Sequence, residues 1–212
     1  MGDVQFNKTP IRLFKSDFLE FFTHIHPAIV LIIWVPVAAA FAGYGIVNRP
    51  QGEPWLYFPI CLVAGLVLWT LTEYTLHRFV FHFRPRNSWQ ERITYLFHGI
   101  HHAQPMVKSR LVMPPVVSVP LALLFYYFYA YVIGELLGRP HWMYPLFAAF
   151  LAGYICYDMI HYASHHFNLK SRYLKQVRKN HMRHHWKTPD KRFGVTSILW
   201  DIVFGTRVKE GQ

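Results

Sequence analysis

The sequence predicts an all-α integral membrane protein with four transmembrane helices and a cytoplasmic helical cap. Three observations lead to this fold class: four long apolar stretches, a one-sided distribution of basic residues, and a regular spacing of histidines in the polar segments. Of the 212 residues, 53% are hydrophobic. We expect a single membrane-embedded domain over residues 1–212, with the cap formed by residues 77–110 and 163–212.

The first observation is that four stretches contain no Asp, Glu, Lys or Arg: residues 28–47, 54–72, 111–134 and 140–157. Each is about long enough to cross a hydrocarbon layer of ~30 Å as a helix. Helices of a soluble bundle would show a polar face, and the first stretch, "AIVLIIWVPVAAAFAGYGIV", shows none. The sequence therefore predicts membrane spans at about 28–47, 54–76, 111–134 and 140–162.

The segments around these spans have their own signals. Residues 1–24 are predicted to lie along the membrane surface, because "FKSDFLEFF" alternates apolar and charged residues at helical spacing. Their charged residues also argue against a cleavable signal peptide. Proline and glycine in "NRPQGEPW" and "GELLGRPHW" predict turns between paired spans. Cys61 and Cys156 fall inside apolar stretches, so we expect small core residues and no disulfide framework.

The second observation is the placement of the 22 basic residues, which give a net charge of +11. Only Arg49 and Arg139 lie in the two short connections between paired spans. By the positive-inside rule, both termini and residues 77–110 are then cytoplasmic, in a bacterial inner membrane or the endoplasmic reticulum. Anionic lipid headgroups are the expected partner of this basic surface, and nucleic acid is disfavoured.

The third observation is that the boxes "HGIHH" and "HMRHH" each end a set of histidines, and that the second set follows the first at an offset of 83 or 84 residues. The ten residues are His77 and His82, His98, His101 and His102, His161 and His165, and His181, His184 and His185. Residues three and four apart share a helix face, so each HxxHH box is expected to point one way. His77 and His82 are five apart, about 140° around a helix. They can meet at one centre only if the helix is distorted, or they bind different metals.

Ten converging imidazoles are too many for one ion, so two ions are predicted, since first-row metals take about four to six ligands. Two redox-active irons beside lipid suggest O₂ activation, because no amino-acid side chain can oxidise an unactivated C–H bond. Zinc could replace iron in a purified sample. Glu73, Asp158 and Asp201 are candidates to orient the histidines, and His166 could do the same or face solvent. Glu73 and Asp158 could instead simply mark the ends of their spans.

Several motifs together resemble the fatty acid hydroxylase superfamily over about residues 14–208: "EYTLHRFVFH", "HGIHH", "RLVMPP", "YICYDMIHYASHH", "HMRHH" and "FGVTSILWDIVFGT". The histidine pattern alone is shared with sterol desaturases, sterol C4-methyl oxidases and carotene hydroxylases. "RLVMPP" and "FGVTS…WDIVFGT" are most similar to the fatty acid 2-hydroxylases.

This resemblance implies an O₂-dependent diiron enzyme that adds a hydroxyl group at C2 of a long-chain fatty acid or a sphingolipid acyl chain. It implies that all ten histidines of the boxes are metal ligands. Some family members carry an N-terminal cytochrome b5 domain, and we expect none here. Electrons would then come from a separate donor of the cytochrome b5 or ferredoxin type.

Two alternatives to a lipid 2-hydroxylase remain open at this point. One is a sterol or carotenoid oxidase with the same metal core. The other is a membrane protein that binds or transports metal without catalysis. Transport is disfavoured, because transporters carry ionisable residues within their spans and these four stretches contain no Asp, Glu, Lys or Arg.

Overall fold

The computed structural model describes residues 8–208, and every regular element in that range is helical. The α-helices are α1 (Asp17–Phe21), α2 (Pro27–Val47), α3 (Tyr57–Thr75), α4 (Ser88–Thr94), α5 (Ile100–Ala103), α6 (Pro115–Tyr129), α7 (Met143–His166), α8 (Arg172–Trp186) and α9 (Leu199–Val203). Stretches of π-helix continue α3 (Leu76–Phe81), join α4 to α5 (Tyr95–Gly99) and continue α6 (Ala130–Leu136), and short 3₁₀ turns occupy Lys108–Arg110 and Pro140–Trp142. The predicted all-α fold is confirmed.

Four helical segments are long and apolar enough to cross a membrane, as predicted. They are Pro27–Val47, Tyr57–Phe81, Lys108–Leu136 and Pro140–His166. The second and fourth run further than the predicted ends at 76 and 162. The physical reason is that backbone hydrogen bonding continues the helix past the histidines at the end of each span. The prediction from sequence ended each span near its last apolar residue.

The described chain divides into two compact units, and the first contains residues 28–69 and 113–156. In this apolar unit, α3 and α7 approach closely at two glycines. A Cβ on Gly65 would lie 2.1 Å from the carbonyl oxygen of Leu146, and one on Gly153 would lie 2.5 Å from the ring of Trp69. The absence of a side chain at both positions is therefore what permits the close contact.

Both predicted turns of the apolar unit contain a glycine in the left-handed region. Gly52 has φ +81° and Gly138 has φ +63°, a conformation that side chains with a Cβ rarely adopt. Glu53 follows the first turn, and its carboxylate accepts a hydrogen bond from the indole N–H of Trp142 at 3.1 Å. The guanidinium of Arg139 lies 3.5 Å from the same carboxylate, so the two turns are joined by polar contacts.

The two cysteines of the apolar unit differ in exposure. Cys61 is buried, as predicted. Cys156 is exposed, so its prediction as a core residue was wrong. Its position on α7 turns the side chain outward, and apolar character alone cannot tell a packed face from a face turned toward lipid.

The second compact unit, called here the histidine unit, contains residues 70–112 and 157–208 and the described residues up to Pro27. Its N-terminal segment is attached by Gln104, whose amide accepts from the N–H of Ile11 at 2.9 Å and donates to the carbonyl of Thr9 at 3.0 Å. Phe18 and Phe21 on α1 are both 71% exposed. Such a face suits the predicted surface segment 1–24, whose first seven residues lie outside the described range and whose membrane contact stays a prediction.

Candidate metal centre

The ten histidines of the boxes form two groups of five in the histidine unit. Within each group, one ring nitrogen per residue lies within 4.8 Å of all the others. The first group is His77, His82, His98, His102 and His184, and the second group is His101, His161, His165, His181 and His185. Seven of the ten residues are buried and His82, His165 and His185 are half-buried, so the side chains converge in the interior.

Each group takes four histidines from one half of the sequence and one from the other half. His101 joins the second group, and His184 joins the first. The expectation that each HxxHH box points one way was therefore wrong in this respect. The reason is that adjacent helical residues are about 100° apart, so His101 and His102 diverge although both lie near the face of His98.

A π-helical turn brings His77 and His82 together. The N–H of His82 donates to the carbonyl of His77 at 3.1 Å, which is the i→i+5 bond of a π-helix. Both residues consequently belong to the first group, with their ring centroids 5.0 Å apart. The distortion that the sequence required for a shared centre is present. His98 lies in a second π-helical stretch, Tyr95–Gly99.

Backbone carbonyls determine which ring nitrogen faces inward for three of the histidines. The Nδ1 atoms donate to carbonyl oxygens in three pairs, His77 to Phe193 at 2.6 Å, His161 to Leu111 at 3.0 Å and His184 to Lys191 at 2.7 Å. A carbonyl only accepts, so each Nδ1 carries the proton and each Nε2 presents a lone pair. Bonds of this kind are the usual support of metal-binding histidines.

The Nε2 atoms are spaced as neighbouring ligands of one ion. In the first group, Nε2 of His77 lies 3.0 Å from that of His98, and Nε2 of His184 lies 3.0 Å from that of His82. In the second group the pairs are His161–His101 and His165–His181 at 2.9 Å, His101–His185 at 3.0 Å and His181–His185 at 3.1 Å. Two nitrogens about 2.1 Å from one ion, at right angles, are about 3.0 Å apart.

All five imidazoles of a group can present a lone pair to one cation, so both groups fit a first-row transition metal such as iron or zinc. Buried ring nitrogens support the same conclusion. Nε2 of His102 has no hydrogen-bond partner among the described residues, although it is buried beside the other rings of the first group. A buried polar atom of this kind normally has a partner, and an ion would supply it.

Burial keeps these imidazoles neutral. It lowers the pKa of His82 to about 3 and that of His184 to about 4, with the charge of His184 adding to the shift at His82. Burial, followed by the neighbouring histidines, also holds the pKa of His98, His101 and His181 well below the ordinary value. The rings are therefore neutral at neutral pH, so each has one nitrogen with a free lone pair, as a metal ligand must.

Asp201 supports the first group through the backbone. Its fully buried carboxylate accepts from the N–H groups of Phe193 at 2.8 Å and Gly194 at 3.0 Å, and from the hydroxyl of Thr206 at 2.7 Å. The carbonyl of Phe193 in turn holds Nδ1 of His77. Asp201 is thus connected to His77 through the backbone of Phe193 and does not contact the ring directly, and its role in orienting that ring stays a prediction.

Glu73 acts on the next part of the same loop. Its buried carboxylate accepts from the N–H groups of Val195 and Thr196, both at 2.7 Å, and from the hydroxyl of Thr196. The carboxylates of Glu73 and Asp201 therefore both hold the loop after α8 by accepting hydrogen bonds from its backbone N–H groups. The sequence named Glu73 and Asp201, but it did not indicate that their partners are backbone N–H groups.

The remaining candidates are Asp158 and His166. Asp158 is 1% exposed and lies three residues before His161 on α7. His166 is half-exposed, stands outside both groups, and has its ring 4.9 Å from that of Tyr162. A role for either in orienting the histidines stays a prediction.

Comparison with known proteins places this arrangement in a family. The family model described as fatty acid hydroxylase matches residues 62–206. The dihydroceramide fatty acyl 2-hydroxylase FAH1 of Arabidopsis thaliana is 38% identical over 92% of this chain and 79% of its own length. The fatty acid 2-hydroxylase of Homo sapiens is 33% identical over 95% of this chain and 58% of its own length.

A solved structure agrees with the sequence comparisons. The hydroxylase domain visible in full-length scs7p superposes with a TM-score of 0.82 and is 38% identical, covering 92% of this chain and 72% of that one. The family model covers more than half of the chain, and FAH1 is more than 30% identical over more than two thirds of its own length. The chain therefore belongs to the fatty acid hydroxylase family.

Proposed function

We propose that this protein hydroxylates C2 of a long acyl chain, in a free fatty acid or a sphingolipid, at two iron ions held by the two histidine groups. The observation that carries the proposal is the pair of five-imidazole groups, in which neighbouring Nε2 atoms are 2.9–3.1 Å apart and all ligand atoms of a group lie within 4.8 Å. Support also comes from relatives named as dihydroceramide and ceramide fatty acyl hydroxylases. Those names favour an acyl substrate over a sterol or carotenoid.

All ten histidines are proposed as metal ligands. Bound iron would supply the O₂ activation and C–H oxidation that side chains cannot perform. Five imidazoles per ion leave room for about one further ligand, since first-row metals take up to about six. Zinc is expected to compete for the same groups during purification, because its affinity for imidazole sites exceeds that of ferrous iron.

The protein's own contribution is to hold the rings and keep the site dry. The carbonyls of Phe193, Leu111 and Lys191 fix three rings with their lone pairs inward. Burial keeps the rings neutral, because it lowers the pKa of histidines such as His101 and His181. Because backbone hydrogen bonds already orient these three rings, they need little rearrangement when metal binds.

The stoichiometry requires an external electron source. Insertion of one oxygen atom into a C–H bond consumes O₂, two electrons and two protons and releases one water. We propose that a separate donor of the cytochrome b5 or ferredoxin type supplies the electrons. The proposed topology places both termini and the metal centre on the cytoplasmic side of a multi-pass protein, where such a donor can reach them.

Position-specific lipid analysis tests this function. The full chain is expressed in a host without 2-hydroxylated lipids, and total acyl chains are released and examined by mass spectrometry that distinguishes hydroxyl positions. The proposal predicts 2-hydroxy acyl chains with the wild type and none with His101→Ala. Oxidised sterol or carotenoid products would support the alternative oxidase, and absence of any product with iron and a reductase present would contradict the proposal.

A further inference from the structure

A cavity of about 360 Å³ in the histidine unit has no part in the proposed hydroxylation. Its walls are mainly basic and amide side chains: Gln176, Asn180, Arg183, Arg192 and Arg207. Three guanidinium groups in one concavity form an environment for an anion, since arginine binds carboxylate and phosphate groups through paired N–H donors.

Arg192 is a rigid part of this wall. It is 7% exposed, and its guanidinium donates to the side-chain oxygen of Asn180 at 3.2 Å and to the carbonyl of Val208 at 2.9 Å. Its backbone has φ +62°, in the left-handed region that residues other than glycine seldom adopt. The N–H of Arg192 donates to the carbonyl of Thr206 at 3.1 Å, which holds this conformation. Such unusual backbone positions concentrate at functional sites.

The other walls come from α8 and from the chain after α9. Gln176, Asn180 and Arg183 are spaced four and three residues apart, so they share one face of α8. Asp201 does not line the cavity: its carboxylate accepts from the amide of Asn180 at 3.5 Å and from backbone N–H groups. The charged side chains among the described residues that line the cavity are all arginines, so these walls are positively charged.

One edge of the cavity is apolar. Ile198 and Val208 line it. Ile202 lies one helical turn after Ile198, and its N–H donates to the carbonyl of Ile198 at 3.2 Å. The side chain of Ile202 is 51% exposed. Leu199 and Val203 on α9 are 47% and 58% exposed. A basic cavity that continues into an exposed apolar helix matches a ligand with an anionic head and an apolar tail.

We propose that this cavity binds the phosphate group of a membrane phospholipid, with the acyl tails along the exposed side of α9. Arginine forks match the oxygens of a phosphate, and anionic lipids are attracted to basic protein surfaces at the membrane. The site is independent of the proposed hydroxylation, since none of its side chains belongs to either histidine group. Free phosphate shares the same chemistry, and the experiment separates the two sources.

Native mass spectrometry of the full chain, purified in detergent and stripped of lipid, measures the binding. Phosphatidic acid, diacylglycerol with the same acyl chains, and inorganic phosphate are titrated separately. We expect saturable binding of phosphatidic acid and at least about tenfold weaker binding of diacylglycerol. Arg183→Gln combined with Arg207→Gln is expected to weaken phosphatidic acid binding at least about tenfold. Arg92→Gln, an exposed position on α4 that does not line the cavity, is the matched control and is expected to bind as the wild type does.

The elution volume and metal content of each variant show whether it folds. If the double variant does not fold, Arg207→Gln alone replaces it, because that side chain is exposed, and about threefold to tenfold weaker binding is expected. Inorganic phosphate that binds alone and displaces the lipid at equal concentration would support the phosphate site and overturn the lipid source. Equal lipid binding by the wild type, the arginine variants and the control would overturn the proposal.

Discussion

Replacing His184 by alanine is predicted to release the metal ion from the first group, whose other four histidines all lie in the first half of the sequence. The ligand energy of a metal site sets the magnitude. A structural zinc site with four ligands binds its ion by about 10–16 kcal/mol, or about 3 kcal/mol per ligand. Loss of one imidazole should therefore weaken binding to the first group about 100-fold or more. The second group keeps all five of its histidines.

Metal content per protein, measured by mass spectrometry after dialysis against a weak chelator, is the assay. The wild type should retain about two ions and His184→Ala about one, since each group binds one. Adding His98→Ala, from the same group but the other box, should leave the content near one. Adding His185→Ala, from the same box but the other group, should bring it near zero. His24→Ala is the control and should retain both ions, because His24 lies outside both groups.

The two double variants decide between grouping by structure and grouping by sequence box. If the pair His184 and His98 loses both ions, while the pair His184 and His185 retains one, then the boxes act as units. That result would refute the assignment of His184 to the first group, provided that all variants elute as the wild type does.

Three further predictions concern the supporting structure. Gly194→Ala should prevent stable folding, because the new methyl group would lie 1.9 Å from a carbonyl oxygen. Gly43→Ala should be tolerated, because a methyl group there would have nothing within 4 Å. Thermal unfolding in detergent compares the two variants. Asp201→Asn should destabilise the protein by about 2–3 kcal/mol, because the hydrogen bonds to a charged carboxylate are weakened. The control Asp190→Asn, at an exposed position, should leave stability unchanged. The midpoints of denaturant unfolding measure both effects. The metal-free protein should lose stability as pH falls from 6.5 towards about 4, because burial lowers the pKa of His184 to about 4 and the unfolded chain takes up that proton first. Unfolding midpoints measured at several pH values test this loss, and bound metal should oppose it.

A specific result would contradict each of these three predictions. Equal stability of Gly194→Ala and Gly43→Ala would show that the loop after α8 can move aside. An unchanged midpoint for Asp201→Asn would show that its backbone bonds contribute little. Stability of the metal-free protein that rises on acidification would mean that the buried histidines gain protons more readily in the folded chain than in the unfolded chain.

The apolar helices could be predicted from the sequence because the length and charge of a stretch are local properties. The absence of charged residues over 28–47 leads directly to the helix Pro27–Val47. The identity of the ten converging histidines could also be predicted, since their spacing on helices restricts where their rings can point. The five-residue separation of His77 and His82 predicted either a distorted helix or two different metals, and the π-helical turn corresponds to the first of these.

The division into two groups could not be predicted, because it depends on the paths of several helices in space. Spacing cannot tell that His101 turns to the second group while His102 turns to the first. The backbone carbonyls of Leu111 and Phe193 were also missed, since any residue supplies a carbonyl. The only signal for them was indirect: Leu111 lies in "RLVMPP" and Phe193 begins "FGVTS", two motifs without histidine.

An anomalous difference map from crystals of the iron-loaded protein, recorded at the iron absorption edge, tests the central claim most directly. We predict two peaks, one bounded by the first group including His184 and the other by the second group including His101. A single peak, or two peaks each bounded by histidines from only one half of the chain, would contradict the account.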